Sequence, residues 1–569
     1  MANKIVIDPI TRIEGHLRIE VVVDDNNIVI DAYSSSTMFR GIEPILKGRD
    51  PRDCGLIAMR ICGVCTVTHY QRSIEAVENA YNIVVPKNAR LVRNLIQSTL
   101  FMHDHLVHYY HLHSLDWIDV ISALNANEND ALNEATKYAN IAGVTPYITL
   151  DDITSIKAKL KALNDAGKLG IFSKGYWGNS SYKLTPAQNL MAITNYFKAF
   201  EIQRFLGSMM ATLGGKDPHP QSIVVGGVTS IKNILDNEKM TNFYNLALNV
   251  RDFIKRAYIP DMYMLADVYK DDMINQVGGG LKNFLVYGGF PLEDGDLNSV
   301  EMFFPQGVIY NANLDDIKDF DANLVTEDVT HAWYSGGNDK PYEADTIPNY
   351  TGFKEVVDNV AYLDTDGKYS WIKSPLYNDE RMEVGPLARM LVGYKKSNTI
   401  KTYMQNFLDK SNTNINDFIS AVGRTIARAI ESEIISDKIF DFFDELKLNL
   451  QNDTSSVASY TEIPNTQGFS TEEAPRGALG HWVRIENSKV ANYQTVVPST
   501  WNAAPRDYKG RRGAYEESLI GVKLSNIDEP LEILRVVHSF DPCIACAVHV
   551  MDVRGKKLSQ FNVNSICGI

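Results

Sequence analysis

Four of the six cysteines in this 569-residue chain form two Cys-x-x-Cys pairs, Cys62/Cys65 in RICGVCTVTH and Cys543/Cys546 in DPCIACAVH, with nearly the whole sequence between them. In each pair two intervening residues let both sulfurs turn toward one point, with Gly63 or the small Ala545 permitting a tight turn into a helix N-terminus. Free N–H groups and the positive end of the helix dipole favour a thiolate there. Together the pairs supply a four-thiolate site. Soft sulfur ligands select zinc, nickel, copper(I) or iron over magnesium or calcium, and the spacing does not choose among these metals. From the pairs alone a structural zinc site is the favoured reading. It is weakened because zinc pairs usually staple a small module within a few tens of residues, whereas a site joining the two ends of a long chain suits a deeply buried cofactor. Neither pair sits in the strand-linked context of a thioredoxin-like exchange motif. Six cysteines are too few for a disulfide framework, and Cys54 and Cys567 have no spacing partner and no assigned role.

The formal charge of −14 argues against nucleic acid or an anionic membrane surface as the main partner, because phosphate binding needs concentrated Lys and Arg. No segment offers the run of about 18 apolar residues that a membrane span requires. The opening MANKIVIDPI reaches an Asp and a Pro too early for a secretory apolar region, so no export signal is visible.

Alternation over residues 4–36, with Asp24-Asp25-Asn26-Asn27 as a turn, predicts an N-terminal β-meander within residues 1–50. Beyond it, residues 51–549 read as a helical core with β and loop insertions, so the fold class is mainly α with peripheral β (α+β), built on a central bundle of long helices. Residues 88–124 carry no Gly or Pro and predict one core-spanning helix. Residues 186–213, 241–258 and 415–448 predict others from their three- and four-residue apolar spacing. Residues 278–350, rich in Gly, Pro, Asn and aromatics, predict strands and loops, and Gly278-Gly279-Gly280 lacks phosphate-loop spacing.

The two cysteine motifs, together with the opening DPITRIEGHLRIE, resemble the signature set of the large subunit of nickel-iron hydrogenases, and the resemblance runs from Asp8 to His549. FMHDHLVHYYHLHSLDW, HAWYSGGNDKPYEADTIP, EAPRGALGHW and VPSTWNAAPRD resemble the respiratory, uptake-type branch and occur in the right order. The resemblance implies the hydrogenase large-subunit fold, with residues 1–549 as a single catalytic unit. It also implies reversible heterolytic cleavage of H2 at a nickel-iron centre whose iron carries two cyanides and carbon monoxide. Cys62 and Cys543 would be terminal nickel ligands, while Cys65 and Cys546 would bridge nickel and iron.

Carried over in the same way, Cys543 takes the first proton and Glu14 matches the proton-relay carboxylate, where burial would raise its pKa. Composition alone would leave Glu14 as a strand-rim carboxylate. Arg476 matches an arginine over the metals, oriented by Asp104 and Asp541, since a buried guanidinium needs paired acceptors. Pro475 and Ser499 match positions contacting the cyanides, and His69 a hydrogen-bond donor to a bridging sulfur. Glu43 and His549 match a magnesium site. His103, His105, His108, His111 and His113 look like a metal array but read better as neutral core or interface histidines.

Residues 550–569 extend beyond the point where mature members of the family end. The resemblance implies a C-terminal propeptide, removed after His549 by a nickel-dependent maturation endopeptidase, and disfavours the H2-sensing branch. It further implies an iron-sulfur small subunit holding all the iron-sulfur clusters, and a membrane cytochrome b-type subunit passing electrons to quinone. The location implied is the periplasmic side of the inner membrane, reached by export with the small subunit. A zinc-bound scaffold and a cytoplasmic cofactor-reducing hydrogenase stand as alternatives. The related quinone-site subunit of complex I lacks the nickel-binding cysteines.

Overall fold

The computed structural model of the chain describes residues 3–39, 41–173, 175–357 and 360–547. The alternating N-terminal pattern forms a three-stranded antiparallel sheet, Asn3–Ile7, Leu17–Val23 and Val29–Ser36 in that order. Its register sets Ile5 opposite Val21 and Ile19 opposite Ser34. One face buries Leu17, Ile19, Val21 and Val23. On the other, Arg18 and Glu20 are also covered and pair at 2.6 Å, with the Leu363 amide donating to Glu20 at 3.0 Å.

Four long helices, Lys87–Leu106, Pro186–Gly214, Asn237–Phe253 and Ala421–Asn449, close a ring in which each packs on the next. Their limits follow local chemistry. Thr185 forms a capping box with Gln188 ahead of Pro186, and Gly215 ends that helix at φ 83°. Ser420 accepts the Gly423 amide at 3.0 Å and caps the last of the four.

Three expectations for these helices need correction. The stretch 88–124 is not one helix: regular α structure ends at Leu106, widens into a π segment Val107–His113, tightens to a 3-10 turn Ser114–Asp116, and restarts as Val120–Ala123. Lack of Gly and Pro did not keep it continuous, because the histidine and tyrosine side chains are held by tertiary partners and Asp119 caps a new helix by accepting the amides of Ile121 and Ser122. Conversely, the helix expected over 241–258 begins at Asn237 and continues through a π segment Ile254–Tyr258 into Ile259–Val268. The wide turn accommodates Pro260, whose ring would clash with an α-helical carbonyl four residues back. In the stretch expected over 415–448, Ile415–Phe418 is a 3-10 turn before Ser420.

The Gly- and Pro-rich segment holds short strands such as Phe284–Val286 and Gly307–Ile309, as its composition predicts. The sequence reading did not identify the three-stranded antiparallel sheet Thr466–Ala474, Gly477–Glu486 and Lys489–Val496, which lies against the helix Thr66–Ala80. Among the described residues no helix is long and apolar enough to cross a membrane.

Candidate metal centre

Cys65 stands at the N-cap of the helix Thr66–Ala80, and the amides of Val64 and Cys65 point at Cys62 Sγ at 3.2 and 3.3 Å. The second pair enters the short helix Ile544–Ala547. The N-terminal segment seats that pair: the Glu14 amide donates to the Pro542 carbonyl at 3.3 Å, and the Ile544 amide donates to the Glu14 carbonyl at 2.8 Å. Gly15 makes this approach possible. It has φ 87°, and a Cβ there would meet the Ala545 nitrogen at 2.5 Å. The glycine constraint expected at Gly63 is absent, since a Cβ at that position meets nothing within 4 Å.

All four cysteines are buried and free, and their sulfurs converge. Cys62 and Cys543 are 3.2 Å apart, Cys65 and Cys546 3.2 Å, Cys543 and Cys546 2.9 Å, and Cys65 and Cys543 3.9 Å. Burial opposes charge on each of them. Hydrogen bonds from the other three thiols lower the Cys62 pKa well below the ordinary thiol value, while Cys543 and Cys546 are pushed well above it, by burial first. Four adjacent buried thiolates require a strongly bound soft cation.

Beside the sulfurs lies a small cavity of about 10 Å³, lined by Cys65, His69, Pro475, Arg476, Ser499 and Cys546 among others. The fit to a thiolate-held centre with small extra ligands rests on the donors aimed there. Arg476 sits in the turn between two strands of the late sheet, its Nη1 3.0 Å from Asp104 and its Nη2 3.0 Å from Asp541. Burial works against its charge, but Asp541, Cys543 and Asp104 outweigh it and hold the guanidinium protonated. Ser499 accepts the Cys543 amide at 3.1 Å through its hydroxyl oxygen, which leaves the hydroxyl proton to donate.

Glu14 reaches the same sulfur from the other side. Its Oε2 lies 3.3 Å from Cys543 Sγ and 2.9 Å from the Ala545 amide. Burial, with a contribution from Cys62, pushes its pKa up to about 7. His69 lines the cavity beside Cys65, with its Nδ1 engaged by His481 at 3.2 Å. His481 belongs to the late sheet, and the GALGHW motif was its only signal.

The other expected residues lie apart. Glu43 is buried, accepting the Thr495 amide at 2.9 Å, with Lys373 Nζ at 3.5 Å. Lys373 also contacts Glu327 at 3.2 Å. His549, Cys567 and residues 550–569 lie outside the described residues. Cys54 is buried away from the cluster, and burial raises its pKa. Along the histidine run, His105 contacts Glu431 at 2.7 Å and His108 the His538 carbonyl at 2.7 Å. Burial lowers His105, His111 and His113 to about 4, which keeps them neutral.

Comparison with known proteins agrees with this geometry. A family model described as nickel-dependent hydrogenase matches residues 40–549, and one described as HoxL-like matches residues 4–38. The quinone-reactive Ni/Fe-hydrogenase large chain of Wolinella succinogenes is 45% identical, covering 100% of this chain and 99% of its own. The hydrogenase-1 large chain of Escherichia coli is 40% identical, covering 99% and 97% respectively. The Ni-Fe-Se hydrogenase from D. vulgaris Hildenborough in the reduced state superposes with a TM-score of 0.78 at 32% identity, covering 96% of this chain and 100% of that one. With four convergent thiols and matches over nearly its whole length, the chain belongs to the nickel-dependent hydrogenase family, as the large catalytic subunit of a nickel-iron hydrogenase.

Proposed function

We propose that this subunit works in the direction of H2 uptake, with Cys543 and Glu14 as the first two stations of the departing proton. The observation that carries the reading is the 3.3 Å contact between Cys543 Sγ and the Glu14 carboxylate, whose pKa near 7 suits reversible transfer. Cys62, Cys65, Cys543 and Cys546 would hold the nickel-iron centre through their four sulfurs. When bound, the nickel-iron centre polarises H2 and withdraws its electrons, so that one H2 yields two protons and two electrons. Cys543 sulfur holds one proton, and Glu14 Oε2 accepts it while the Ala545 amide keeps the carboxylate in place. Arg476, steadied by Asp104 and Asp541, balances the buried negative charge. Pro475 and Ser499, lining the cavity beside the sulfurs, would contact the small ligands on the iron, and His69 would support a cysteine sulfur.

Electrons leave through an iron-sulfur small subunit to a membrane cytochrome b-type subunit and quinone, on the periplasmic side of the inner membrane after joint export. The relatives named as quinone-reactive and uptake hydrogenases support this part of the reading. A maturation endopeptidase removes residues 550–569 after His549. The family model's match to residue 549 supports that boundary. Glu43 and His549 would hold magnesium. The buried carboxylates Glu43 and Glu327 offer the hard oxygen donors this ion prefers, although Lys373 already supplies positive charge there.

The test is the purified heterodimer. One nickel and one iron per large subunit, a mass ending at His549, H2-dependent dye reduction, and quinone reduction with the membrane subunit present are expected. Zinc alone with no H2-dependent reduction overturns the reading.

A further inference from the structure

Away from the sulfur cavity, Asp116 is fully buried in the 3-10 turn that ends the broken helix. Its Oδ2 receives His113 Nδ1 at 2.9 Å and His538 Nδ1 at 2.6 Å, and its Oδ1 is paired with the Arg12 guanidinium. Its main-chain carbonyl receives Arg535 Nε at 2.7 Å. The ligand-capable atoms of His113, Asp116 and His538 lie within 4.8 Å of one another, a spacing compatible with a metal. The ring nitrogens are committed elsewhere. The Trp117 indole N–H donates to His113 Nε2 at 3.0 Å, so the His113 proton sits on Nδ1 and points at Asp116. His538 Nε2 donates to the Thr11 carbonyl at 2.9 Å.

Apart from His113, the partners of Asp116 belong to two segments that meet again at the metal centre. Thr11 and Arg12 precede Glu14. Arg12 holds φ 56° without being glycine, and its Nη1 donates to the Leu112 carbonyl at 2.6 Å. Arg535 and His538 lie in the helix Leu531–Ser539, which feeds through Asp541, at φ 57°, into Cys543. Further along, the two segments are joined by the Ile544 amide to the Glu14 carbonyl at 2.8 Å.

We propose that Asp116 is a positioning residue: by holding Arg12 and His538 on one carboxylate, it fixes the register of the Glu14 segment against the Cys543 segment, and so the Glu14–Cys543 distance. This rests on the reading of Glu14 as proton acceptor. Two strained residues, Arg12 in the clamp itself and Asp541 between it and Cys543, are held in place, so without the clamp both segments can relax and the carboxylate drifts from the sulfur. A drift of about 1 Å at a transfer step costs on the order of 10²-fold in rate.

The test compares Arg12→Gln, Arg12→Lys, Asp116→Asn and Glu14→Gln in the loaded heterodimer. Readouts are nickel and iron content, infrared bands of the iron's diatomic ligands, D2–water exchange, and backbone amide exchange over residues 10–16 and 541–546 in loaded and metal-free chains. Arg12 is partly exposed, so its variants disturb the core least. Arg12→Gln and Asp116→Asn are expected to keep metals and infrared bands, lose amide protection in both segments, and slow D2–water exchange about tenfold. Arg12→Lys restores exchange. Wild-type exchange in a fully loaded Arg12→Gln, with Glu14→Gln slowed, overturns the proposal. Wild-type exchange in Glu14→Gln overturns the acceptor reading instead, and amide protection then decides the register claim by itself. If a variant fails to load, unchanged amide protection in the metal-free chain overturns the proposal.

Discussion

Arg476 and Asp541 are joined twice, Nη2 to the carboxylate at 3.0 Å and Nε to the main-chain carbonyl at 3.1 Å. A guanidinium makes both bonds and still reaches Asp104; an ammonium has no planar fork with which to do so. Arg476→Lys is therefore expected to retain nickel and iron while H2 oxidation falls by about 10²-fold or more, as for loss of a preorganised donor. Dye-coupled turnover and elemental analysis on the same preparation check this, and wild-type turnover would remove Arg476 from the mechanism.

Glu14→Gln preserves the acceptor for the Ala545 amide but cannot take a proton. Turnover is expected to drop by about 10²-fold, at the low end of general acid-base contributions, with metal content intact. Glu14→Asp shortens the side chain and is expected to fall between the two. A Glu14→Gln enzyme with full turnover would send the proton elsewhere.

Gly15→Ala and Gly63→Ala separate a glycine that the structure requires from one that only the sequence marked for a tight turn. At Gly15 the added Cβ meets backbone at 2.5 Å in a left-handed conformation, so metal loading is expected to collapse. At Gly63 the Cβ enters open space, and loading is expected to persist. Nickel content of the two purified variants decides, and equal loss in both would contradict the geometry.

Asp261 links stability to pH. Its carboxylate accepts from Tyr110 and Asn195, both at 2.9 Å, and burial pushes its pKa from 3.8 up to about 7. The folded chain therefore holds a proton that the unfolded chain releases, and this group's contribution to stability declines as pH rises from about 4 to about 7. Asp261→Asn keeps the hydrogen bonds and removes the titration. Its melting temperature is expected to exceed that of the wild type at pH 8 and to show a shallower fall between pH 5 and 8. Parallel curves for the two proteins would refute the assignment.

What could be read from the sequence was whatever has a short period or a fixed spacing. The meander over 4–36, the long helices and the two cysteine pairs have such signals, and all appear in the structure. Breaks in the long helix did not, because π and 3-10 turns carry no composition mark and depend on distant partners such as Asp261 for Tyr110 and Thr425 for His113. The late sheet was hidden by its nearly continuous burial, which erases alternation: Glu472 and Glu473 are as covered as Ala478 and Leu479. Arg476, Asp104 and Ser499 had no local signal either, since each becomes part of the site only through its neighbours in space. They were legible only as parts of the family's set of motifs, and Arg12 and Asp116, which lie inside two of those motifs, carried no role there.

Cys62 and Cys543 touch across 481 residues of chain. During synthesis a ribosome delivers the first pair long before the second, and a truncated product displays two thiols with no opposing pair. The loaded centre is therefore a receipt for full translation: nickel and iron held by four sulfurs can exist only in a polypeptide that was read through to its second cysteine pair and folded back onto its beginning.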